Sequence, residues 1–407
     1  MLHRFTAKRY RNLDVDDLEL GRLNLIVGPN SAGKSNFIRA TRFLGHLLRP
    51  RDPSNAFLSA LSTRGRGDLL DRDAPVPGDI DLAWTLSPAP GASALTYELG
   101  FKVDRSEEFP TGFYITKERL RDAGGAGDPS WLFERDAKSP GTVRGPIDGP
   151  NLGGVDMSPQ ETMLQQRDRL GMWSILPAGQ RFDQAVRELK TYFGGVHAYA
   201  SGKIDPLKVA QGVRRDVLVK DLDPEGLHLA NVLRYLDQHE GLDEYVKRLG
   251  QLIPDLRRVK PYDVSDESVA VRLHIGDGRP LKLNEMSDGT IKAMILALLV
   301  STPVHMTLLA LDEPELNLHP AWLRILGQWL IECRSADQLM ISTHSPDLLD
   351  AFTAAFREGA AALFVFGWPH RGVRRIEPKE LDSFFKEGWE LGDLYRVGEP
   401  KLGGWPW

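Results

Sequence analysis

The chain has 407 residues, 42% of them hydrophobic and 26% charged, which is typical of globular proteins and predicts two or three domains or one large domain with an insertion. Its net charge of −5 disfavours a protein coated in nucleic acid, although a local basic face is compatible with it. A lone cysteine, Cys333, excludes an intrachain disulfide, and the longest apolar run, residues 293–300, is too short to span a bilayer. Because the N-terminus also lacks the apolar core of a signal peptide, we predict a cytoplasmic protein without a membrane partner.

The first motif with specific chemistry is a glycine-rich loop between an apolar strand, residues 23–27, and a helix that begins near Ser35. It matches the pattern GxxxxGK[ST], whose glycines let backbone N–H groups point at phosphate oxygens. Lys34 adds a charge for the β- and γ-phosphates, and Ser35 offers a hydroxyl to Mg²⁺. An accidental glycine-rich turn is the alternative, which the flanking strand and helix disfavour. The candidate nucleotide-binding residues of this loop are Gly28, Pro29, Asn30, Ser31, Ala32, Gly33, Lys34, Ser35 and Asn36.

The predicted secondary structure changes several times along the middle of the chain. Residues 79–135 contain short alternating runs separated by turns, a pattern that predicts antiparallel strands. Residues 121–156 are densest in Gly and Pro and predict loops or a surface insertion. Residues 159–250 have mostly helical periodicity, and strand signals return at 268–283 around an Asp277-Gly278 turn.

A second group of polar residues follows the apolar run 307–311. The run predicts a buried parallel strand, and the next two residues, Asp312 and Glu313, fall at the edge where α/β proteins bind ligands. Asp312 is placed to hold Mg²⁺, directly or through water, and Glu313 to polarise an attacking water. An acidic turn without a catalytic role is the alternative, and the phosphate loop upstream favours the catalytic interpretation.

Three further segments accompany these motifs: Ser287-Asp288-Gly289-Thr290 before an apolar helix, residues 315–320 after the acidic pair, and Thr343-His344-Ser345 at the end of another strand. On these residues the chain resembles the ABC-type ATPase heads of the SMC/RecF-like group. More closely, it resembles the bacterial AAA-type ATPases related to the overcoming-lysogenisation-defect ATPases. The similarity extends through residues 223–233, 391–395 and 402–404 and covers most of the chain.

The resemblance implies an α/β fold: an ABC-type P-loop ATPase head with an antiparallel β lobe and a helical insertion. The expected division is an N-terminal ATPase lobe (1–135), a loop-rich and helical insertion that forms a lid or short arm (136–265), and a C-terminal ATPase lobe (266–407). In that family two heads form a homodimer that sandwiches two ATP molecules, so the implied cofactors are ATP and Mg²⁺.

The resemblance also assigns roles across and within such a dimer. Ser287 and Gly289 would be the signature residues that reach the partner's γ-phosphate, where an ordinary N-capped helix is the alternative. His344 would be the switch histidine that contacts the γ-phosphate and the attacking water, where a polar turn residue is the alternative. A lid glutamine that helps bind Mg²⁺ would be Gln166, with Gln165 as the other choice, and either could instead be a helix-surface residue.

The expected site therefore has two parts. Its catalytic residues are Lys34, Glu313 and His344, and its metal ligands are Ser35, Asp312 and Gln166. The resemblance favours a role in bacterial antiphage defence, in which ATP-dependent dimerisation gates a separately encoded nuclease or toxin. A RecF/SMC-like DNA-repair ATPase and a nucleotide-gated scaffold are the alternatives. DNA is a candidate partner, since several arginines could face it, although they could equally be solvated charges: Arg64, Arg66, Arg214, Arg215, Arg257, Arg258, Arg371, Arg374 and Arg375.

Overall fold

The computed structural model describes residues 1–48, 78–87, 94–103, 113–123, 130–136, 142–144, 151–152, 161–165, 180–216, 218–367 and 372–403. The chain divides into two compact units. The first unit comprises Met1–Gly21, Pro29–Val196 and Phe366–Arg374, and the second comprises Arg22–Gly28, His197–Val365 and Arg375–Trp407. Among the described helices, none is long and apolar enough to cross a membrane.

The strands are β1 (Leu2–Tyr10), β2 (Leu13–Glu19), β3 (Leu23–Val27), β4 (Gly78–Leu86), β5 (Ala94–Val103), β6 (Phe113–Ala123), β7 (Ser130–Asp136), β8 (Thr142–Arg144), β9 (Asn151–Leu152), β10 (Val196–Ala200), β11 (Val213–Arg214), β12 (Leu256–Ser265), β13 (Ser268–Ile275), β14 (Leu281–Lys282), β15 (Leu308–Asp312), β16 (Leu339–Ser342), β17 (Ala361–Phe366) and β18 (Val373–Ile376). The α-helices are α1 (Lys34–Leu48), α2 (Gln180–Gly194), α3 (Pro206–Ala210), α4 (Leu229–His239), α5 (Asp243–Leu249), α6 (Asp288–Ser301), α7 (Pro320–Glu332), α8 (Pro346–Ala351), α9 (Thr353–Arg357), α10 (Asp382–Lys386) and α11 (Leu391–Arg396).

The first unit is built on an eight-stranded sheet of order β2-β1-β4-β5-β6-β7-β8-β9, in which every neighbouring pair of described strands is antiparallel. Helix α1 packs on it through aromatic contacts, since the Phe37 ring lies 5.4 Å from that of Phe5 and the Phe43 ring 5.8 Å from that of Phe101. The antiparallel strands expected in residues 79–135 are confirmed. Strands β7, β8 and β9 extend into 121–156, where loops were expected, because pairing with the neighbouring strand satisfies their backbone groups despite the glycines and prolines around them.

The second unit is built on a six-stranded sheet of order β10-β15-β16-β3-β17-β18. Strands β15, β16, β3 and β17 pair in parallel. Every residue of β3, β16 and β17 is buried, as apolar strands in a sheet covered on both faces must be. The parallel strand expected after residue 307 is confirmed as β15. Strand β10 lies where mostly helix was expected, because its place beside β15 in the sheet overrides a weak local pattern.

A smaller sheet of the second unit has the order β11-β13-β12, with β14 paired to β13. The expected turn at Asp277-Gly278 connects β13 to β14, and the pairing across it is antiparallel. One face of this sheet, with Val259, Val271 and Leu273, is buried in the hydrophobic core. The division of the chain at residues 135 and 265 stays a prediction.

Candidate functional site

The glycine-rich loop has the backbone curl that its sequence predicts. Gly28, directly after β3, has a φ of 139°, and Gly33, directly before α1, has a φ of 105°. A Cβ at Gly33 would lie 2.9 Å from the Leu13 side chain, so both conformation and space require glycine there. Ser31 has a φ of 65°, a conformation that non-glycine residues adopt at a cost and that recurs at ligand-binding loops.

Within the first unit, Lys34 and Asn12 hold this loop. The Lys34 side chain is buried, and its Nζ donates to the Pro29 carbonyl oxygen at 3.0 Å. The Asn12 amide, in the turn between β1 and β2, donates to the Ser31 carbonyl oxygen at 2.5 Å and accepts from Asn36 Nδ2 at 2.7 Å. Asn12 was missed by the sequence reasoning, because an asparagine in a turn usually bonds its own backbone and nothing local pairs it with Ser31.

In the second unit, the acidic pair and the histidine segment end neighbouring parallel strands. Asp312 is in register with Ser342, and Ser342 is in register with Ile26 of β3, two residues before Gly28. Ser342 Oγ donates to Asp312 Oδ1 at 2.5 Å, and the Glu313 N–H donates to the Ser342 carbonyl oxygen at 3.0 Å. The acidic pair, the histidine segment and the start of the phosphate loop therefore share one edge of this sheet, where α/β folds bind ligands.

Glu313 and His344 face each other at this edge. The Glu313 carboxylate oxygen Oε1 lies 3.6 Å from His344 Nε2, and both side chains are partly exposed. Glu313 has a φ of 52°, a strained conformation for a residue with a side chain. On its other side, His344 Nδ1 lies 3.3 Å from the Tyr395 hydroxyl, so both ring nitrogens face polar groups.

The Glu315 side chain is half-buried, and its carboxylate contacts the histidine segment. Its Oε1 accepts from the His344 N–H at 2.7 Å and from Thr343 Oγ1 at 2.8 Å, and burial raises its pKa above the ordinary value. Its Oε2 is buried and has no hydrogen-bond partner among the described residues. Glu315 and Tyr395 have no role at the site in the sequence-based prediction, because their proximity to His344 depends on chain segments that are distant in sequence.

The signature segment starts α6 in the second unit. Ser287 is the N-cap, and its Oγ accepts from the Thr290 N–H at 3.2 Å, so the capping that was the local alternative is present. A Cβ at Gly289 would lie 2.6 Å from the Asn317 carbonyl oxygen, so glycine lets the segment pack against the loop that follows Glu313. A contact of Ser287 with a second copy stays a prediction.

The lid glutamine Gln166 lies outside the described residues. Its alternative, Gln165, donates from Nε2 to the Leu47 carbonyl oxygen at 3.0 Å and accepts from the Thr162 N–H at 2.8 Å. These two bonds tie the segment 161–165 to the end of α1, so the observed side chain serves packing within the first unit.

The candidate DNA-facing arginines differ in whether the structure describes them and in whether they form ion pairs. Arg64, Arg66 and Arg371 lie outside the described residues. Arg257 pairs with Asp277 at 2.8 Å, and Arg375 pairs with Glu377 at 3.1 Å. Ion pairing lowers the charge that such side chains offer to a polyanion. Adjacent arginines in the sequence therefore do not by themselves identify a DNA-binding surface.

Comparisons with known proteins agree on the fold. The model of a family described as "AAA domain, putative AbiEii toxin, Type IV TA system" matches residues 23–350. No curated protein sequence matches the chain. An SmcHead bound to the C-winged helix domain of ScpA is 11% identical and has a TM-score of 0.52, over 93% of this chain and 99% of that one. The fold of this chain is therefore that of an SMC head, which confirms the expected α/β ABC-type ATPase architecture.

Two further solved structures match at lower TM-scores. The Smc head domain with an extended coiled coil from Pyrococcus furiosus, bound to the C-terminal domain of ScpA, is 13% identical, over 95% of this chain and 98% of that one, with a TM-score of 0.47. The SMC head domain from Thermotoga maritima is 12% identical, over 92% and 98%, with a TM-score of 0.42.

Proposed function

Because the chain belongs to the family described as an AAA domain, putative AbiEii toxin of a Type IV TA system, we propose that it binds and hydrolyses ATP and dimerises around it. The family and the SMC-head fold make the protein an ATPase of the AAA/SMC type. The observation that best supports hydrolysis is the Glu313–His344 pair, 3.6 Å apart at the sheet edge where the phosphate loop begins.

Nucleotide binding follows from the loop. Its positive-φ residues and the N-terminus of α1 favour a phosphate group, and the buried Lys34 exchanges its carbonyl partner for phosphate oxygens. The Ser35 hydroxyl and the Asp312 carboxylate are oxygen donors that suit Mg²⁺. The metal, when bound, neutralises charge that develops on the phosphates.

Hydrolysis uses the acidic and histidine groups of the second unit. The Glu313 carboxylate accepts a proton from the attacking water, and its partial exposure leaves room for that water. His344 Nε2 donates to the γ-phosphate or orients the water beside Glu313. Asp312 stays aligned through the Ser342 hydroxyl.

Dimerisation follows from the start of α6. Ser287, Gly289 and the first N–H groups of this helix form a surface suited to the γ-phosphate of a nucleotide held by a second copy. ATP then joins two heads, and loss of the γ-phosphate releases them. The homodimer gates a separately encoded effector, a nuclease or toxin, in antiphage defence. The family description, a putative AbiEii toxin of a Type IV TA system, supports the defence role alone, and the protein bound to the SmcHead supports a protein partner.

The decisive variant is Glu313→Gln, which removes the base and keeps the shape. We expect turnover to fall by about 100-fold or more, with ATP binding retained and an ATP-dependent dimer accumulating in light scattering. Lys34→Ala should lose ATP binding itself. A matched control is Glu332→Gln, since Glu332 is an exposed glutamate that bonds only Gln328 in the described structure. Normal turnover in Glu313→Gln would overturn the proposed chemistry.

The biological role needs a separate measurement. Cells that carry the wild-type gene with its neighbouring genes should resist phage, and cells with Glu313→Gln should not. Protection that persists in Glu313→Gln would favour the nucleotide-gated scaffold over a hydrolysis-driven gate.

A further inference from the structure

The small sheet of the second unit has a strongly basic outer face. The pairing register places Arg258 opposite His274, and Lys260 opposite Arg272, which in turn is opposite Lys282. These residues alternate with the buried Val259, Val271 and Leu273, so they lie on the other side of the sheet. We call this surface the basic sheet face, and its members are Arg258, Lys260, Tyr262, Arg272, His274 and Lys282.

The cations of this face form no close ion pairs among the described residues, although Glu285 lies near Lys282 and accepts from its backbone N–H at 2.8 Å. In the part of the chain that the structure describes, Arg258, Lys260, Arg272 and Lys282 form no ion pair. Cations at the sheet's margins do: Arg257 pairs with Asp277 at 2.8 Å, and Arg279 pairs with Glu285 at 2.6 Å. The carboxylates of this sheet lie at its turns and strand ends, away from the centre of the face.

Tyr262 holds the central cation in place. The Arg272 guanidinium lies over the Tyr262 ring, 4.1 Å from its centre. Stacking of this kind orients a guanidinium without neutralising it. Arg272 is partly exposed, although its Nε is buried and has no hydrogen-bond partner among the described residues. The charge therefore stays available to a ligand.

We propose that the basic sheet face binds the phosphodiester backbone of a nucleic acid. Residues two apart on a strand lie about 6.7 Å apart and adjacent strands about 4.8 Å apart, so four unpaired cations share a small area. Protein interfaces depend on a buried apolar core, and the apolar side chains at or beside this face in the described structure are the half-buried Tyr262, the buried Ala270 and the exposed Val264 near the end of β12. A polyanion that needs charge rather than apolar anchors therefore fits it better than an acidic protein does.

The test compares two triple variants in fluorescence anisotropy with a labelled DNA duplex of about 20 base pairs at about 50 mM salt. Arg258→Gln, Lys260→Gln and Lys282→Gln together should weaken binding by about 10-fold or more and reduce the salt slope by about 2 to 3. The matched control replaces three ion-paired arginines, Arg257, Arg279 and Arg375, by Gln and should change binding by less than about 3-fold.

Equal losses in both triples, or no DNA binding by the wild type at this salt, would overturn the proposal. Binding of poly-glutamate that only the face variant loses, without DNA binding, would assign the face to an acidic protein instead. Repeating the measurement in Lys34→Ala keeps the result independent of the ATPase proposal.

A second observation, the hydroxyl of Tyr395 beside His344, carries an independent inference. Helix α11 is fixed on α8, the helix that follows the histidine segment: Arg396 pairs with Asp350 at 2.9 Å and the Gly392 N–H donates to Asp350 Oδ1 at 2.7 Å. A Cβ at Gly392 would overlap the Pro346 carbonyl oxygen, so glycine allows this close packing. Tyr395 is thereby held against the histidine.

We infer that Tyr395 is a positioning residue for His344, an inference that rests on the proposed ATPase function. A phenol that donates to Nδ1 leaves the ring proton on Nε2, the nitrogen that faces Glu313, and this is the role that we assign to the Tyr395 hydroxyl, 3.3 Å from Nδ1. Burial and the nearby Glu315 charge raise the pKa of Tyr395, so its hydroxyl keeps its proton at neutral pH. The tautomer that can donate from Nε2 is thus selected by a helix far along the chain.

Tyr395→Phe removes only the hydroxyl. We expect kcat to fall about 5- to 20-fold with the Kd for ATP unchanged, and no further loss when the change is added to His344→Ala, because the two residues act as a unit. Tyr245→Phe is the control, since it deletes another buried phenol, bonded to the Met294 carbonyl oxygen, and should leave kcat unchanged.

A lower melting temperature with additive losses would assign Tyr395 a merely structural role and overturn the inference. A wild-type kcat in Tyr395→Phe would also overturn the inference, but it would not contradict the proposed ATPase function. Absence of turnover in the wild type would instead remove the proposed function itself.

Discussion

Two glutamates, one in each unit, occupy chemically different surroundings: Glu118 is fully buried, and Glu315 is half-buried with one buried carboxylate oxygen. Glu118 in the first unit accepts from the Met163 N–H at 2.8 Å and from the Tyr97 hydroxyl, and the Arg135 guanidinium lies 3.7 Å away. Glu315 in the second unit also accepts two hydrogen bonds, but one of its oxygens has no partner and no ion pair forms among the described residues. Burial raises the pKa of both carboxyl groups.

This difference in hydrogen bonding and ion pairing distinguishes Glu118, which stabilises the packing around it, from Glu315, which lies at the candidate functional site. A buried charge with a cation and a full set of donors stabilises the packing around it, and removing it leaves the partner uncompensated. A buried carboxylate that is only partly satisfied costs stability, and proteins keep such groups where function requires them. The Glu315 carboxylate accepts a hydrogen bond from the His344 N–H, so the group that lowers stability lies beside the Glu313–His344 pair.

Glu118→Ala should have the largest effect on folding. It removes the carboxylate that faces Arg135 and that accepts from the Met163 N–H and the Tyr97 hydroxyl, and we expect the free energy of unfolding to fall by about 3–5 kcal/mol. Urea denaturation followed by fluorescence measures this change. ATP turnover per folded molecule should stay at the wild-type value. A fall in turnover with unchanged stability would contradict the structural role assigned to Glu118.

Glu315→Ala should have a smaller effect on stability and a clear effect on activity. It releases the His344 N–H and the Thr343 hydroxyl, so we expect about 10-fold lower kcat and a loss of roughly 1–2 kcal/mol in the free energy of unfolding. Steady-state turnover and urea denaturation of one preparation measure both. Wild-type kcat would show that the carboxylate serves packing alone.

Glu315→Gln should give the smallest effect, visible in its pH dependence. Because the folded pKa of Glu315 lies above its ordinary value of 4.5, its stabilising contribution is present below that value and is lost as pH rises through the folded pKa. The glutamine keeps the Oε1 acceptor without a charge. The melting temperature of the variant should therefore fall less than that of the wild type as pH rises above 4.5, and parallel profiles would contradict the assignment.

Much of the catalytic chemistry is predictable because it is local. The phosphate loop needs glycine, lysine and serine at fixed spacing within eight residues, and the strands beside it are recognisable as short apolar runs. The roles of Lys34, Asp312 and Glu313 in binding and hydrolysis stay predictions. The lid residue Gln166 lies outside the described residues, and Gln165 is bonded within the first unit.

The sequence by itself determined the phosphate loop, the acidic pair, the signature and histidine segments and the apolar strands, because each depends on a few consecutive residues. Only the tertiary structure decided which distant groups meet: Ser342 against Asp312, Asn12 against Ser31, and Tyr395 against His344. It also decided, through strand register, that the unpaired cations of β12, β13 and β14 share one face. These neighbours depend on how separate segments pack, and shifting a strand by one residue would turn its side chains to the opposite face.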